Sequence, residues 1–373
     1  MVVSDQGSSL PNEGGIGASK SLKIGLHGLP NPNLLRQTGA GGLRMIVSDT
    51  ELKQILSGKG GPKAQAAMKM VQQLHSQGAH VVVSLRFPDR DGPESTSSVR
   101  PRFDRIPKGQ DRTETIQLVR RFLRQAGPFL YGVQLNNEPV GGPGQYAMKD
   151  MDPRGNAWSP ATQWFIDLVN VIREERASNR RLSNLKIVSP GFAGIGEYLR
   201  GKRFPKAYLA FTEELIRFSN EYTELLDVHL HVEDVEQVRE IVEYMRKQSS
   251  LPFITLEWSQ ARGVFGWMKE RVQVPGYRGT NEDFIRQAYR NPVTPDVWRT
   301  FMESSPLDPH FVRESFPILR DAGFVFVCYG PSIQYGDPPF DMVCLFAAKT
   351  VKSSGGRVPR NEFWFGQYQK LVR

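Results

Sequence analysis

Short apolar, β-branched segments alternate along the chain with segments whose apolar residues recur every three or four positions. The first pattern indicates strands, and the second indicates helices that bury one face. We therefore predict eight strands, at residues 22–26, 43–47, 80–85, 131–136, 185–189, 226–230, 253–257 and 324–328. A segment whose apolar residues have helical spacing follows each strand, and residues 361–371 supply a closing helix.

The number of these units favours one fold class. Eight strands followed by eight possible helices predict an α/β protein with a closed (β/α)8 TIM barrel rather than an open doubly wound sheet. No linker divides the middle of the chain, so residues 21–373 are expected to form a single domain. Residues 1–20, rich in Gly, Ser, Asn and Asp, are predicted to be a flexible N-terminal arm.

The longest connections follow strands three, four and seven, at residues 87–110, 140–160 and 259–306. In a (β/α)8 barrel these loops lie at the carboxyl-terminal face, where active sites are built. The elaborated part of the chain is thus expected at the position of a substrate.

Polar residues share one face of several predicted strands. Side chains alternate between the two faces, so residues of one parity point into the barrel. In strand four, Gln134, Asn136 and Glu138 oppose the apolar Val133 and Leu135. The same alternation predicts polar groups on the interior face of the other strands at His27, Arg44, Ser48, Ser84, Arg86, Asp227, His229, His231, Thr255, Glu257 and Tyr329.

In strand seven the alternation separates Ile254 and Leu256 from Thr255 and Glu257. A purely structural barrel would not collect so many polar groups inside, because each unsatisfied neutral group costs about 1–3 kcal/mol. The pattern instead predicts a wet, substrate-binding mouth.

Glu138 and Glu257 stand at the ends of strands four and seven, which face each other across an eight-stranded barrel. Cleavage of a glycosidic bond needs one group that protonates the leaving oxygen and another that stabilises the positive anomeric carbon. Two carboxyls separated by ~5 Å give retention of configuration, whereas a gap of ~6.5–9.5 Å admits a water and gives inversion. These two glutamates therefore predict a glycoside hydrolase.

The sequences around both glutamates resemble those of the clan A glycoside hydrolases, which include many cellulases, mannanases and xylosidases. The resemblance rests on Leu-Asn-Asn-Glu-Pro at residues 135–139 and Thr-Leu-Glu-Trp at residues 255–258. It extends in layout over residues 21–371 and implies a retaining double displacement. By this resemblance Glu138 is the acid/base, Glu257 is the nucleophile and Asn137 holds the sugar 2-hydroxyl.

The resemblance also implies further substrate-binding residues. An Arg near strand two commonly neighbours the nucleophile in this clan, and Arg44 matches it. His229 or His231 matches the His or Tyr after strand six that often contacts the nucleophile. The chain departs from the clan at strand three, where Ser84 and Arg86 replace a frequent His, and at strand eight, where Tyr329 replaces the usual Trp. The individual family therefore stays open.

Two alternatives remain beside a glycosidase. A carbohydrate-binding barrel without catalysis would use Asn137 and aromatic side chains to hold a glycan. A metal-dependent barrel hydrolase would use His229 and His231, because a His-x-His pair is a metal-ligand arrangement in other proteins. No second His cluster accompanies that pair, so we expect no metal and no other cofactor.

Several aromatic residues in or beside the long loops could stack on sugar faces. Trp258, next to the predicted nucleophile, is included among the expected substrate contacts. The other candidates are Trp158, Trp267, Tyr277 and Trp298.

The composition is that of a globular protein, with 39% hydrophobic and 23% charged residues among 373. The 48 Lys and Arg exceed the 39 Asp and Glu, giving a net charge of +9, but the basic residues are scattered. A nucleic-acid partner would require a clustered basic patch, so none is expected. The expected partner is an oligosaccharide or polysaccharide, and the positive charge extends this expectation to anionic glycans. The pattern does not determine the oligomeric state.

The two cysteines, Cys328 and Cys344, are too few for a disulfide framework. No stretch approaches the ~20 apolar residues of a membrane span, and residues 1–20 lack the apolar core of a signal peptide. A polysaccharide substrate nevertheless favours an extracellular or periplasmic site of action. We hold that localisation as an expectation from the substrate class alone.

Overall fold

The computed structural model describes residues 22–28, 32–57, 61–89, 103–140, 145–152 and 157–372. The predicted N-terminal arm, residues 1–20, lies outside the described residues. Parts of the loops after strands three and four also lie outside them.

All eight predicted strands are present and occur in the predicted order. The described strand segments are β1 (Lys23–His27), β2 (Gly42–Ser48), β3 (His80–Arg86), β4 (Gly132–Gln134), β5 (Lys186–Val188), β6 (Leu226–Asp227), β7 (Leu230–His231), β8 (Phe253–Ser259) and β9 (Phe324–Tyr329). Segments β6 and β7 both pair with β8, so together they occupy the sixth position of the barrel.

The strands form a ring in which every ladder is parallel. Hydrogen-bonded neighbours follow the order β5, β4, β3, β2, β1, β9, β8 and β6. The remaining gap is closed by parallel bridges that join Val188 to Leu225 and Phe192 to Val228. The predicted (β/α)8 barrel is therefore confirmed.

Helices cover the outside of this ring and also fill the loops. Their bounds are α1 (Pro32–Thr38), α2 (Asp49–Ser57), α3 (Gly61–Ser76), α4 (Gly109–Ala126), α5 (Met148–Met151), α6 (Pro160–Ser178), α7 (Ile195–Leu199), α8 (Lys206–Tyr222), α9 (Val235–Gln248), α10 (Asn281–Arg290), α11 (Pro295–Glu303), α12 (Phe311–Asp321), α13 (Pro338–Met342) and α14 (Glu362–Val372). Local sequence sets their starts: Ser159 caps α6 before Pro160, and Asp234 caps α9. None of the helices in the described ranges is both long and apolar enough to cross a membrane.

Apolar side chains pack on both sides of the sheet. The larger core lies between strands and helices. A smaller one fills the amino-terminal half of the barrel interior with Val82, Val188, Leu225, Ile254, Leu256, Phe326 and Cys328. Polar side chains occupy the interior above it, so the barrel is dry at its base and polar at its mouth.

The interior core corrects the predicted alternation in strand seven. Ile254 and Leu256 belong to the interior cluster, on the side expected for Thr255 and Glu257. Glu257 still reaches the mouth because the pairing of β8 with β9 shifts register between Thr255 and Trp258. Such an irregularity changes the face that the following side chain occupies. The position of Glu257 thus depends on a local break in the strand.

The tight base of the barrel yields a test of the packing. A Cβ at Gly42 would lie 2.6 Å from the carbonyl oxygen of His80 and 2.6 Å from the Phe326 ring. We expect Gly42→Ala to lower the free energy of unfolding by about 1–3 kcal/mol, because overpacking forces neighbours to move. Urea unfolding followed by circular dichroism measures the change.

Gly266→Ala is the matched control. A Cβ there meets no atom within 4 Å, and the backbone has φ of −68°. Its unfolding free energy should stay the same or rise by up to about 1 kcal/mol. Equal losses in both variants would contradict the packing described here.

Candidate active site

A cavity of about 930 Å3 opens at the carboxyl ends of the strands. Its lining includes His27 at the end of β1, Arg86 at the end of β3 and Glu138 after β4. His231 in β7 and Glu257 in β8 complete the base. The structure thus brings together at one cavity these five of the polar residues predicted at the strand ends.

Glu257 is surrounded by nitrogen atoms. Nη1 of Arg44 donates to Oε1 at 2.5 Å, and Nε2 of His231 lies 2.6 Å from Oε2. His229 Nδ1 and His27 Nε2 lie 3.9 and 3.8 Å from Oε1. Burial raises the pKa of this carboxyl, but the charges of His229 and Arg44 and the hydrogen bond with His231 outweigh it and hold the pKa well below its ordinary value. Glu257 is therefore ionised at neutral pH.

Arg44 is the cation that holds this group together, and its side chain is fully buried. Besides Glu257, its guanidinium contacts Ser84 at 2.7 Å, His27 Nδ1 at 3.0 Å, Gln134 at 3.2 Å and the Oδ1 of Asn137. Burial lowers the pKa of His27 to about 3, and Arg44 adds to this effect. His27 is thus neutral and can accept from Arg44.

Glu138 is hydrogen-bonded to His229. Nδ1 of His229 lies 2.8 Å from Oε1 of Glu138, and Nε2 lies 2.9 Å from Oδ2 of Asp227. Burial lowers the pKa of His229, but Asp227 and Glu257, together with its two hydrogen bonds, raise it to about 10. At neutral pH the ring is therefore an imidazolium, with one N–H directed at Asp227 and the other at Glu138.

Asp227 is fully buried and accepts hydrogen bonds on both oxygens. Oδ1 accepts from the backbone N–H of Leu256 at 2.9 Å. Oδ2 accepts from His229 and from the amide of Gln134, and Gln134 in turn contacts Arg44. This chain of hydrogen bonds connects Glu138 to Glu257 below the cavity.

Gly191 leaves room for this arrangement. A Cβ at residue 191 would collide with the carbonyl oxygen of Asn137 and would lie 2.6 Å from Nε2 of His229. The loop after β5 can therefore pass beside the two residues only because Gly191 has no side chain.

The two glutamates lie close together. One ligand atom each from Glu138, His229 and Glu257 all lie within 4.8 Å of one another. These are atoms that could hold a cation, but their surroundings do not favour one. Both ring nitrogens of His229 already contact carboxylates, and the positive guanidinium of Arg44 contacts Glu257. His231 is also engaged at both nitrogens, with Glu257 and with Ser259.

Arg86 lines the cavity as predicted, but its charge is compensated. It pairs with the buried Asp104 at 2.6 Å. The second arginine of the described lining, Arg262, pairs with Glu197 at 3.1 Å. The prediction of anionic glycans therefore gains no support from the cavity.

Trp258 and Tyr329 do not reach the cavity, which corrects their assignment as substrate contacts. The register shift that exposes Glu257 turns Trp258 outward, where its fully buried ring packs near Phe311 of α12. Tyr329 is also fully buried, and its hydroxyl donates to the carbonyl oxygen of Val343 at 2.8 Å. Neither side chain can touch a sugar unless the outer core opens.

The aromatic residues that do line the cavity were missed by sequence reasoning. They are Phe265 in the loop after β8 and Tyr335 and Phe340 in the loop after β9. Trp158, Trp267, Tyr277 and Trp298, which we predicted as stacking candidates, are absent from the described lining. The connection from Gly330 to Asn361 was not singled out by length, although it builds one wall.

Asp104, Gln134 and Asp227 were also not assigned to the site. The alternation of polar residues placed Gln134 and Asp227 inside the barrel, and that signal could have identified them. Asp104 carried no comparable signal, because it lies in an irregular loop.

Comparisons with solved structures show the same barrel. The chain is similar to the GH53 catalytic domain of Ignisphaera aggregans, with a TM-score of 0.51 and 13% identity over 94% of this chain and 91% of that chain. It is similar to a GH5_18 protein from Bifidobacterium longum subsp. infantis, with a TM-score of 0.51 and 13% identity over 94% and 78% of the two chains.

A GH5_18 protein from Bifidobacterium longum subsp. longum, in complex with Manβ1-4GlcNAc, has a TM-score of 0.50 and 12% identity over 94% and 78%. No protein-family profile and no curated protein matches the sequence. These likenesses show the fold, a (β/α)8 barrel shared with the GH53 and GH5_18 proteins, and assign no individual family to this chain.

The contact between Asp227 and His229 predicts a shifted titration. Asp227→Asn removes the negative charge beside Nε2, so the pKa of His229 should fall below its value of about 10. NMR of protein labelled with 15N-histidine measures the pKa directly in both proteins.

The same contact links stability to pH. Because the folded pKa of His229 lies above its ordinary value of 6.5, its contribution to stability is complete below about pH 6.5 and is lost as the pH rises through about 10. Asp227→Asn should reduce that loss. Asp104→Asn is the control, since Asp104 is an equally buried acceptor that bonds Arg86 rather than His229. An unchanged His229 titration in Asp227→Asn would refute the assignment.

Proposed function

We propose that the protein is a retaining glycoside hydrolase with Glu138 as acid/base and Glu257 as nucleophile. The observation that carries the proposal is the meeting of two strand-end glutamates at the base of one cavity, with oxygens within 4.8 Å of each other. This separation fits the ~5 Å of retaining enzymes better than the ~6.5–9.5 Å that leaves room for an attacking water.

The first step would use one carboxyl group as an ionised nucleophile and the other as a proton donor. Glu257 is held ionised by Arg44 and its histidine neighbours, so it can attack the anomeric carbon. Glu138 would protonate the departing oxygen as the bond to the sugar breaks. His229 lies 2.8 Å from Glu138 and carries a proton on Nδ1. That hydrogen bond can deliver the proton that Glu138 passes to the leaving oxygen.

In the second step Glu138 would act as base. It would remove a proton from a water that attacks the anomeric carbon, and the bond from that carbon to Glu257 would break. The leaving carboxylate would regain its contacts with Arg44 and His231. The proton balance closes, because the proton that passes from His229 through Glu138 to the leaving oxygen in the first step is replaced, along the same path, by the proton taken from water in the second.

Asn137 and Arg44 would position the sugar and the nucleophile. Asn137 lines the cavity, and its Oδ1 accepts from the Arg44 guanidinium that also holds Glu257. We assign Asn137 to the sugar 2-hydroxyl, in line with the resemblance of residues 135–139 to the clan. The names of the structural neighbours, GH53 and GH5_18, agree with a carbohydrate substrate.

The test is hydrolysis of 4-nitrophenyl β-D-glycosides (gluco, manno, galacto and xylo) and of the corresponding disaccharides. Glu138→Gln and Glu257→Gln should each lower kcat/KM by at least about 10²–10⁴-fold, because each removes a group that acts in the transition state. NMR of the first product should show retained configuration.

Glu214→Gln is the matched control for these variants. Glu214 is buried, but it lies away from the cavity and accepts from the backbone of Ser159. Full activity of Glu257→Gln would overturn the nucleophile assignment. Glycan binding by a wild-type protein without turnover would instead establish the non-catalytic barrel, and metal-dependent activity that a chelator abolishes would establish the metal alternative.

His231 provides a test of how the nucleophile is kept ionised. His231→Ala removes the hydrogen bond at 2.6 Å, so the pKa of Glu257 should rise towards its ordinary value. A group with a depressed pKa loses its ionised form as the pH falls, so the acid limb of kcat/KM should move to higher pH. A profile that keeps its acid limb would show that Arg44 and His229 hold Glu257 ionised without His231.

A further inference from the structure

The loop after β9 forms one wall of the cavity and is held by buried polar side chains. Asp341 is fully buried and accepts from the backbone N–H of Tyr335 at 2.8 Å, that of Gly336 at 2.9 Å and the hydroxyl of Tyr289 at 2.6 Å. These hydrogen bonds hold the loop backbone at Tyr335 and Gly336 in place.

Gln334 adds a second anchor. Its Oε1 accepts from the backbone of Lys349 at 2.9 Å and of Thr350 at 3.1 Å, and its Nε2 donates to the Thr350 hydroxyl at 2.9 Å. Ser332 bonds the carbonyl oxygen of His27 at 2.7 Å and so connects the loop to β1. The loop therefore presents its cavity-facing side chains in one arrangement before any ligand binds.

Two aromatic side chains of this loop are suited to a sugar. Tyr335 is 41% exposed and lines the cavity. The Phe340 ring lies 4.9 Å, edge to face, from the His231 ring that contacts Glu257, and it lies 6.0 Å from the Phe265 ring. Aromatic faces of this kind pack against the C–H faces of sugar rings.

Asp337 lines the same wall and has an unused carboxylate. No hydrogen bond or ion pair reaches its side chain from any residue that the structure describes, and it makes no capping hydrogen bond to α13. Burial raises the pKa of this carboxyl, as expected for an anion removed from water without donors. Its neighbours leave its oxygens available to hydroxyl donors from the cavity.

We propose that Asp337, Tyr335 and Phe340 form a sugar-binding subsite on the nucleophile side of the cavity. It would hold an uncharged sugar residue next to the one attacked by Glu257, with Asp337 accepting from neighbouring hydroxyls and an aromatic ring beneath the sugar. The inference rests on the proposed function and adds the chemical class of the substrate.

The charges of the cavity lining indicate whether the substrate is a neutral or an anionic glycan. Both arginines of the described lining are paired, as shown above, whereas the carboxylates of the lining are Glu51, Glu138, Glu197, Glu257 and Asp337. A uronic acid residue would bring a further negative charge to Asp337 without a free cation to offset it. Neutral glycans are therefore the expected substrates.

The experiment compares 4-nitrophenyl β-glycosides of one sugar and of two sugars, using the sugar that the wild type prefers. Asp337→Ala and Phe340→Leu should lower the ratio of kcat/KM for the disaccharide to that for the monosaccharide by about tenfold or more, mainly through KM, because hydrogen bonds to charged groups are among the stronger ones. The matched control is Asp296→Asn on α11, whose carboxylate is solvent-exposed and which should keep the ratio.

An unchanged ratio in both cavity variants would overturn the subsite, as would faster hydrolysis of a β-glucuronide than of the β-glucoside by the wild type. If the protein is not a glycosidase at all, the wild type should hydrolyse none of the probes, which distinguishes that failure from failure of the subsite. In that case calorimetric titration of the wild type and of Asp337→Ala with cellotetraose and mannotetraose tests whether the subsite binds a glycan. Weaker binding to Asp337→Ala than to the wild type supports the subsite, and equal binding, or none to the wild type, rejects it.

Discussion

The pairing of Arg44 with Glu257 inside the barrel is the interaction on which the candidate site depends. A fully buried guanidinium is costly unless its donors are used, and here they reach Glu257, Asn137, Gln134, Ser84 and His27. Five different strands or strand ends supply Arg44 and these partners, so one cation fixes the relative positions of most of the barrel mouth. Removing Arg44 would leave the buried carboxylate of Glu257 without its closest positive charge.

The same network gives the two glutamates different environments. Glu257 faces Arg44 and nitrogen atoms of histidine, whereas Glu138 bonds a histidine that is itself held by Asp227. Two carboxyls on one fold acquire different roles when their neighbours differ in this way. Asp227 has no contact with the cavity, yet it determines which nitrogen of His229 points to Glu138.

The fold could be predicted from the sequence because its signals are local. Each strand of the barrel is a short apolar run, and the eight runs occur in order with helical segments between them. The glutamates were identified because they follow two such runs within recognisable motifs. The break in β8 could not be predicted in this way, since nothing in the sequence of the strand marks where its regular alternation stops. That break reversed the expected faces of Ile254 and Leu256 and moved Trp258 away from the cavity. The wall that contains Asp337 and Phe340 was missed because its geometry depends on Asp341 and Gln334, whose partners are distant loop atoms.

Gly191 has a consequence for reading related sequences. Its α-carbon lies against the carbonyl oxygen of Asn137 and the ring of His229, so even a methyl group there would displace both. Because the residue has no side chain, no chemical role would draw attention to it. Its identity is nevertheless a compact marker of an intact site. In any homologue that keeps both glutamates but carries a larger residue at this position, the acid/base side of the cavity must be built differently, and annotation by the glutamates alone would mislead.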